Sequence, residues 1–575
     1  MNRRYSLERV GPALAVQYYA DGFDALSPRE KIFSLHLSRA AIAGRDIAVR
    51  QHHPLAIEVR ELFEEIIRHP GAADPVVVRR ITDYCKLLWI NNGFYDNITS
   101  HKFLPGCTFD ELKGACTTAA AIAKLGALAE LIFSPSVDPV LTDKTPGKDW
   151  IRESAVNFYD RQLTLAQVQR WAEEGRERYP LNSTLTLRDG KIVENIWRAG
   201  DAAHAPGLYA AELLRVIRHL DDAVPFAASP YQAETINKLI TFLRTGESGD
   251  FRDYNIHWVK DDSRVDFNLG FIEVYLDPRN QKGEWQTSVY MTNEAQTKLM
   301  RALAAEAQYF EDRGPWSREF RKNVDRIPVA NAVDAIIQTG GTGPVSPVGI
   351  NLPNEQAIRQ RYGSKSILLE NIDDATDRAM GHALVREFGY DEEEIGQEIR
   401  FGTAADKLHT ALHEVIGHGS AKMKAGLEHT NPSDLLPGYY STIEEARADC
   451  VALWYANEPK LLEIGAAADA ESLHIIGATM YRQMFRGALT QLRQIGDHAQ
   501  LEEDHMKNRQ LIAHFVIAHS GGVTVEQRDG KTFYKLTDPA GVGNVSVRSS
   551  PSSRASRGRE TSVGQNNSSI RMGCT

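Results

Sequence analysis

His413-Glu414-Val415-Ile416-Gly417-His418 and, further on, Glu444-Glu445-Ala446-Arg447-Ala448-Asp449 hold the side chains whose types and spacing could do chemistry. Two imidazoles and a carboxylate can bind Zn²⁺ with one position left open to water, and the Glu beside the first ring can take that water's proton. The chemistry implied is metal-dependent hydrolysis, with one Zn²⁺ per chain and a metallopeptidase as the leading reading.

The spacing needs its own argument. In the familiar H-E-x-x-H the two rings stand at i and i+4, about 40° apart around a regular helix. Here they stand at i and i+5. At about 100° per residue the second ring lies about 140° from the first, too far round to share one small ion. The spacing therefore predicts one residue bulged out in a π-type turn, with Gly417 supplying a permissive backbone. In the second cluster, Ser441 and Glu444 fit a capping box that opens a helix, which leaves Glu445 for the metal and Glu444 next in line. Asp449 lies one turn beyond Glu445 on the same face, where it can accept the second ring proton of a ligating His. The apolar run Cys450–Trp454 marks this helix as packed.

H-E-x-x-G-H followed by E-E-x-R-A-E/D resembles the signature of the dipeptidyl peptidase III family of zinc peptidases (peptidase family M49), in its bacterial type. Residues 270–278, Gly-Phe-Ile-Glu-Val-Tyr-Leu-Asp-Pro, are similar to that family's G-F-I-E-x-Y-x-D-P segment. Residues 349–354, Gly-Ile-Asn-Leu-Pro-Asn, are similar to its G-I-N-x-P-N, and His505-Met506-Lys507-Asn508-Arg509 to its H-x-x-x-R helix. The likeness runs from roughly residue 80 to 535. It implies that His413, His418 and Glu445 hold zinc and that Glu414 is the catalytic base; Glu444 and Asp449, from their places on the same helix, are expected behind the ligands. It further implies that Asn351 and Asn354 hold the amino end of a short peptide, while His505 and Arg509 face the scissile bond and the peptide beyond it. The product implied is an N-terminal dipeptide. Two departures stand out. The family's Glu-x-Tyr before G-F-I-E reads Asp266-Phe267-Asn268 here: Asp266 can still pair with an ammonium, but Asn268 is no phenolic donor. After about residue 540 the family's helical continuation, with its carboxylate-binding basic residues, is absent.

Around these residues, 575 positions exceed single-domain size, so at least two lobes with their own cores are expected. A net charge of −10 without a basic stripe excludes nucleic acid as a partner. No stretch approaches the roughly 18 apolar residues of a membrane span, and the basic start, broken by Gly11-Pro12, is not a secretory signal. Five cysteines, odd in number and without C-x-x-C pairs, read as reduced thiols of a cytoplasmic protein. Helical periodicity dominates, as across Leu55–Ile67, Ile236–Leu243 and Thr297–Phe310. Val265–Phe271 alternates instead as a half-buried strand with Asp266 and Asn268 on its polar face, and the apolar parity switches after Phe271, which suggests a bulge or burial on both faces. Thr339–Pro344 reads as a flexible linker or hinge. From Ser549 the chain is rich in Ser, Arg, Gly and Asn, the composition of a disordered or aberrant, frameshifted or truncated tail.

The expected architecture is mainly α with a smaller mixed α+β part: two lobes separated by a cleft, the zinc site on the helical lobe and a small β-core in the other. Residues 1–285 and 336–380 are assigned to the mixed lobe, 286–335 and 381–540 to the helical lobe, and 541–575 to the tail. The rivals are a zinc-containing peptide-binding protein with little turnover and a zinc aminopeptidase or endopeptidase of different specificity.

Overall fold

The computed structural model describes residues 3–324, 331–347, 349–422, 426, 440–490, 493–495, 498–500, 504–539 and 541–542. The expectations for the tail from Ser549 lie outside them. The chain forms two compact units, Met1–Glu294 with Asn331–Gly381, and Ala295–Ala330 with His382–Thr575.

The first unit is built on a long helix and a sheet. Helix α1 (Pro28–His52) opens with a reciprocal capping box between Ser27 and Glu30 and a proline in its first turn, so the exposed amides at its start are satisfied locally. Its buried face packs on a five-stranded sheet and on α2 (Ala210–Ala223), whose Leu213, Val216, Ile217 and Leu220 form one apolar stripe. The approach to the sheet is close: a Cβ on Gly44 would lie 2.6 Å from the ring of the fully buried Trp285.

The sheet comprises β1 (Val265–Glu273), β2 (Glu284–Thr292), β3 (Asn331–Gly340), β4 (Gly349–Leu352) and β5 (Lys365–Leu369), in the order β1-β2-β3-β5-β4. All pairings are antiparallel except β3 with β5. The register of β1 shifts between Phe271 and Glu273, where the apolar parity of the sequence changes. The strand itself is not half-buried as expected. Every residue from Val265 to Phe271 is buried, because Phe271 packs against Trp197 and Trp285 on one face while Trp258, from α3 (Ser248–Lys260), donates to the Phe267 carbonyl at 2.7 Å and to Asp266 on the other.

The turn after β1 is organised by Asp277. Its buried carboxylate accepts the Tyr159 hydroxyl at 2.8 Å and the backbone N–H groups of Arg279, Gln281 and Lys282. Glu177 then takes Arg279 in a two-pronged pair at 3.0 and 2.8 Å and faces Lys282 at 3.5 Å. Thr339–Pro344 is not a free linker. Gly341 N–H bonds the Trp285 carbonyl, and the buried Thr342 hydroxyl reaches the carbonyls of Thr287 and Thr339, so the segment is a turn pinned to β2.

The second unit is mainly helical, with two short antiparallel hairpins, Arg493–Ile495 with His498–Gln500 and Val523–Arg528 with Lys531–Leu536. Helix α4 (Glu392–Ala411), capped by Asp391, runs directly into a π-helical turn, Leu412–Gly417. It packs against α6 (Ala470–Thr490) through Arg482 to Gln397, Gln483 to the Gly402 carbonyl, and Arg486 with the buried Glu398. Helix α5 (Tyr440–Trp454) packs against both the π-turn and α7 (Asp504–Ser520). The periodic stretch Thr297–Phe310 is two helices, Glu294–Ala305 and Ala307–Arg313, broken at Glu306. No described helix is long and apolar enough to cross a membrane.

Glu177→Gln tests the buried charge arrangement of the first unit. It removes the carboxylate between two buried cations, and the expected loss is about 3–5 kcal/mol in urea denaturation, as for a buried ion pair deprived of one partner. A loss within experimental error would show that Asp277 and neighbouring groups suffice to balance Arg279 and Lys282.

Candidate metal centre

The π-turn resolves the five-residue spacing. His418 N–H bonds the His413 carbonyl at 2.9 Å, an i to i+5 bond that takes up the extra residue and brings the two rings edge to face with centroids 4.7 Å apart. Gly417 has a different task from the one its backbone freedom suggests. Its φ is not positive; a Cβ there would instead lie 2.9 Å from the Cα, Cβ and carbonyl oxygen of Ala448. The glycine is what lets α5 come close enough to serve the turn.

Four residues of Glu444–Asp449 then act from that helix. Glu445 Oε2 lies 3.2 Å from His413 Nε2 and 3.6 Å from His418 Nε2. Asp449 Oδ1 meets His413 Nδ1 at 2.6 Å, and Glu444 Oε1 meets His418 Nδ1 at 3.0 Å, so each ring is held from behind by its own carboxylate. Arg447 ties the end of the turn, donating to the Gly417 carbonyl at 2.8 Å while pairing with Glu444. Glu444, in α5, is directed to His418 and Arg447.

The donor set fits a tetrahedral dication. Ligand atoms around zinc with bonds of about 2.0–2.1 Å stand about 3.3 Å apart, close to the 3.2 and 3.6 Å found between Glu445 and the two rings. Glu445 Oε2 is buried and aligned for no hydrogen bond, as expected of a lone pair aimed at a common point rather than at a ring N–H. Glu414 is the other carboxylate near the rings: ligand atoms of His413, Glu414 and His418 all lie within 4.8 Å of one another.

α7 brings His505 to the same place, with Nδ1 3.5 Å from Glu445 Oε2 and its ring 6.2 Å from that of His413. Arg509, one turn later, acts electrostatically on Asp449 and His409. His409 went unnoticed in the sequence: its Nε2 stands 3.4 Å from Asp449 Oδ1. The signal was its position one helical turn before His413.

Electrostatics follow from this crowding. Burial pushes both imidazolium ions down, but Asp449 and Glu445 hold His413 up to about 10, and Glu444 and Glu445 hold His418 up to about 9. Burial pushes the Glu445 and Asp449 carboxyls up, and the neighbouring rings outweigh it, holding both well below the usual carboxylate range. Burial, joined by repulsion from His413, Arg509 and His505, outweighs the attraction of Asp449 and takes His409 down to about 4.

The remaining predicted site residues lie in the first unit, where a pocket of about 470 Å³ is lined by Phe251, Tyr254, Trp258, Asn268, Glu273 and Asn354 among others. Asn268 is buried, accepts Ser288 N–H at 2.9 Å and leaves its own Nδ2 without a partner. Asn354 donates to Glu273 Oε2 at 3.2 Å, and burial pushes the Glu273 carboxyl up. Asn351 is exposed on β4. Asp266 departs from expectation. It is buried against Trp258 and Tyr290, and its carboxylate pairs with Lys365 at 2.8 Å, so it is not offered to a peptide amine. Nothing local to Asp266 announces a lysine 99 residues away.

Two outcomes are expected. Gly417→Ala should force α5 off the turn, costing about 1–3 kcal/mol as overpacking does and lowering zinc content by elemental analysis; wild-type zinc content would show that the close approach is incidental. With no metal bound, the His413 and His418 rings hold protons at pH 7 because their pKa values are raised, so an incoming dication must displace them. Zinc affinity, measured by chelator competition, should therefore rise with pH between 6 and 8, by about tenfold per unit for each proton displaced.

The model of peptidase family M49 matches residues 192–433. The chain is 25% identical to mouse dipeptidyl peptidase 3, over 89% of this chain and 78% of that protein, and 24% identical to the human protein over the same shares. A solved structure of DPP III from Caldithrix abyssi superposes with a TM-score of 0.68 at 18% identity, covering 94% of this chain and 90% of the other, and so shares the fold. Over residues 192–433, which include the bulged histidine pair, this chain is similar to peptidase family M49.

Proposed function

We propose that this chain is a zinc-dependent dipeptidyl peptidase that hydrolyses short peptides from their amino ends. The observation that carries the reading is a single oxygen, Glu445 Oε2, facing the Nε2 atoms of two histidines that are each backed by a further carboxylate. Relatives named dipeptidyl peptidase 3 support the release of two residues at a time. Free thiols at Cys85, Cys107, Cys116 and Cys450 suit a cytoplasmic setting.

His413, His418 and Glu445 are the residues that would hold zinc. When bound, zinc supplies Lewis acidity, acidifying water and polarising a carbonyl oxygen. Glu414, half-buried beside His413, takes the proton of the attacking water and passes it to the leaving amine. Asp449 and Glu444 fix the tautomers of the two rings by accepting their Nδ1 protons. His505 faces the same point and donates to the oxyanion that develops on the attacked carbonyl, and Arg509 serves the peptide beyond it.

For the amino end we propose the pocket of the first unit. Glu273 is the carboxylate on its wall, and it takes the part that Asp266, held by Lys365, cannot. Asn354, already bonded to Glu273, Asn268 with its spare Nδ2, and Asn351 supply the neutral partners.

Glu414→Ala should keep its zinc yet lose about 10²–10⁴-fold in turnover; undiminished turnover would sink the general-base role. On a heptapeptide followed by mass spectrometry, the first two residues should leave as a unit. Acetylating the amino end, or Glu273→Gln, should each lower kcat/KM by about 1–3 kcal/mol per group left unpaired, and the two changes together should cost little more than either alone. Release of single residues from the start would reject dipeptide release.

A further inference from the structure

Two helices of the first unit bring together another set of metal-ligand types, on residues separate from those of the zinc site. His36 lies on α1, and His219 and Asp222 lie three apart on one face of α2. One ligand atom from each lies within 4.8 Å of the other two. His36 Nδ1 and His219 Nδ1 stand 3.9 and 3.8 Å from the same oxygen, Asp222 Oδ2. Both nitrogens are buried, and neither has a hydrogen-bond partner. Buried polar atoms are normally paired, so two orphaned imidazole nitrogens converging on one carboxylate oxygen call for something between them.

We propose that His36, His219 and Asp222 bind a transition-metal dication of the Zn²⁺, Ni²⁺ or Cu²⁺ class, joining α1 to α2. The donor types select that class, since imidazole suits these ions whereas Mg²⁺ and Ca²⁺ take oxygen ligands. The surroundings point the same way. Arg39 and Arg218 act electrostatically on His219 and oppose any cation held by charge alone, so coordination by the ring nitrogens must supply the affinity. The His36 ring is held in its plane by stacking on Phe226 at 5.7 Å. Tetrahedral coordination asks for donor separations of about 3.3 Å, so Asp222 must close by about half an ångström. Its side chain, 52% exposed, has the freedom to do so, and its exposed edge leaves a further position open to water.

The test uses the full-length chain carrying His413→Ala and His418→Ala, which leaves the proposed second site alone. After dialysis against Zn²⁺, elemental analysis should find one equivalent, and zinc should raise the melting temperature. Adding His36→Ala with His219→Ala should remove that equivalent and the thermal shift. Asp222→Asn, at a half-exposed position that tolerates the change, should weaken affinity by roughly ten- to a hundredfold, the scale on which removed metal-site partners act. With His413 and His418 intact, the His36/His219 variant should hydrolyse peptides at the parental rate. No zinc in the His413/His418 background, zinc that persists without His36 and His219, or an equal response to Mg²⁺ would each overturn the proposal.

Discussion

A helix that must place two rings on one ion from positions five apart has to waste a residue, and the wasted residue has to be paid for in packing. The π-turn Leu412–Gly417 does this by bonding His418 N–H to the His413 carbonyl, at the expense of regular helix geometry at its end. What holds the turn is α5. Ala448 sits where a Cβ on residue 417 would otherwise be, and Arg447 takes the Gly417 carbonyl that the interrupted helix leaves over. From that single contact the positions of Glu444, Glu445 and Asp449 follow, because they are fixed relative to Ala448 by helix geometry alone. The buried pairing of α4 with α6, and of α5 with α7, keeps the two sides of the contact from drifting.

The charge arrangement is the chemical counterpart of that packing. Three carboxylates face two imidazoles in a site where burial disfavours every ionised form, and mutual attraction outweighs it. Three carboxylates exceed the charge of two protonated rings by one, and a dication that displaces the ring protons would take their place as the balancing charge. Asp449 and Glu444 orient the rings, leaving Glu445 as the carboxylate whose oxygen faces both Nε2 atoms.

In the first unit a different rule governs. There, buried ionic groups are matched almost completely: Asp277 by three amides and a hydroxyl, Glu177 by Arg279 and Lys282, Asp266 by Lys365. Matched charges are structural, since their donors are used up. Among the polar groups that keep unfilled valences, three stand beside other ligand-binding groups: Asn268 Nδ2 at the pocket and the Nδ1 atoms of His36 and His219 between α1 and α2.

Residue type and local spacing determined the candidate metal-ligand set, the need for a π-turn, a carboxylate from Asp449 behind one of the rings and the bulge in β1, because each depends on helix or strand periodicity over fewer than about ten residues, or on a recurring pairing of types. Tertiary structure alone decided the rest. Alternation puts Asp266 on a polar strand face and the resemblance gives it an amine to pair with, yet the strand is covered on both faces and Lys365 arrives from a distant strand of the same sheet. The spacing suggests a backbone role for Gly417, yet its lack of a side chain matters because of Ala448 on another helix. Thr339–Pro344 has the composition of a linker and the hydrogen bonds of a packed turn. In each case the deciding partner is far along the chain, and periodicity carries no information about which distant surface will meet a given face.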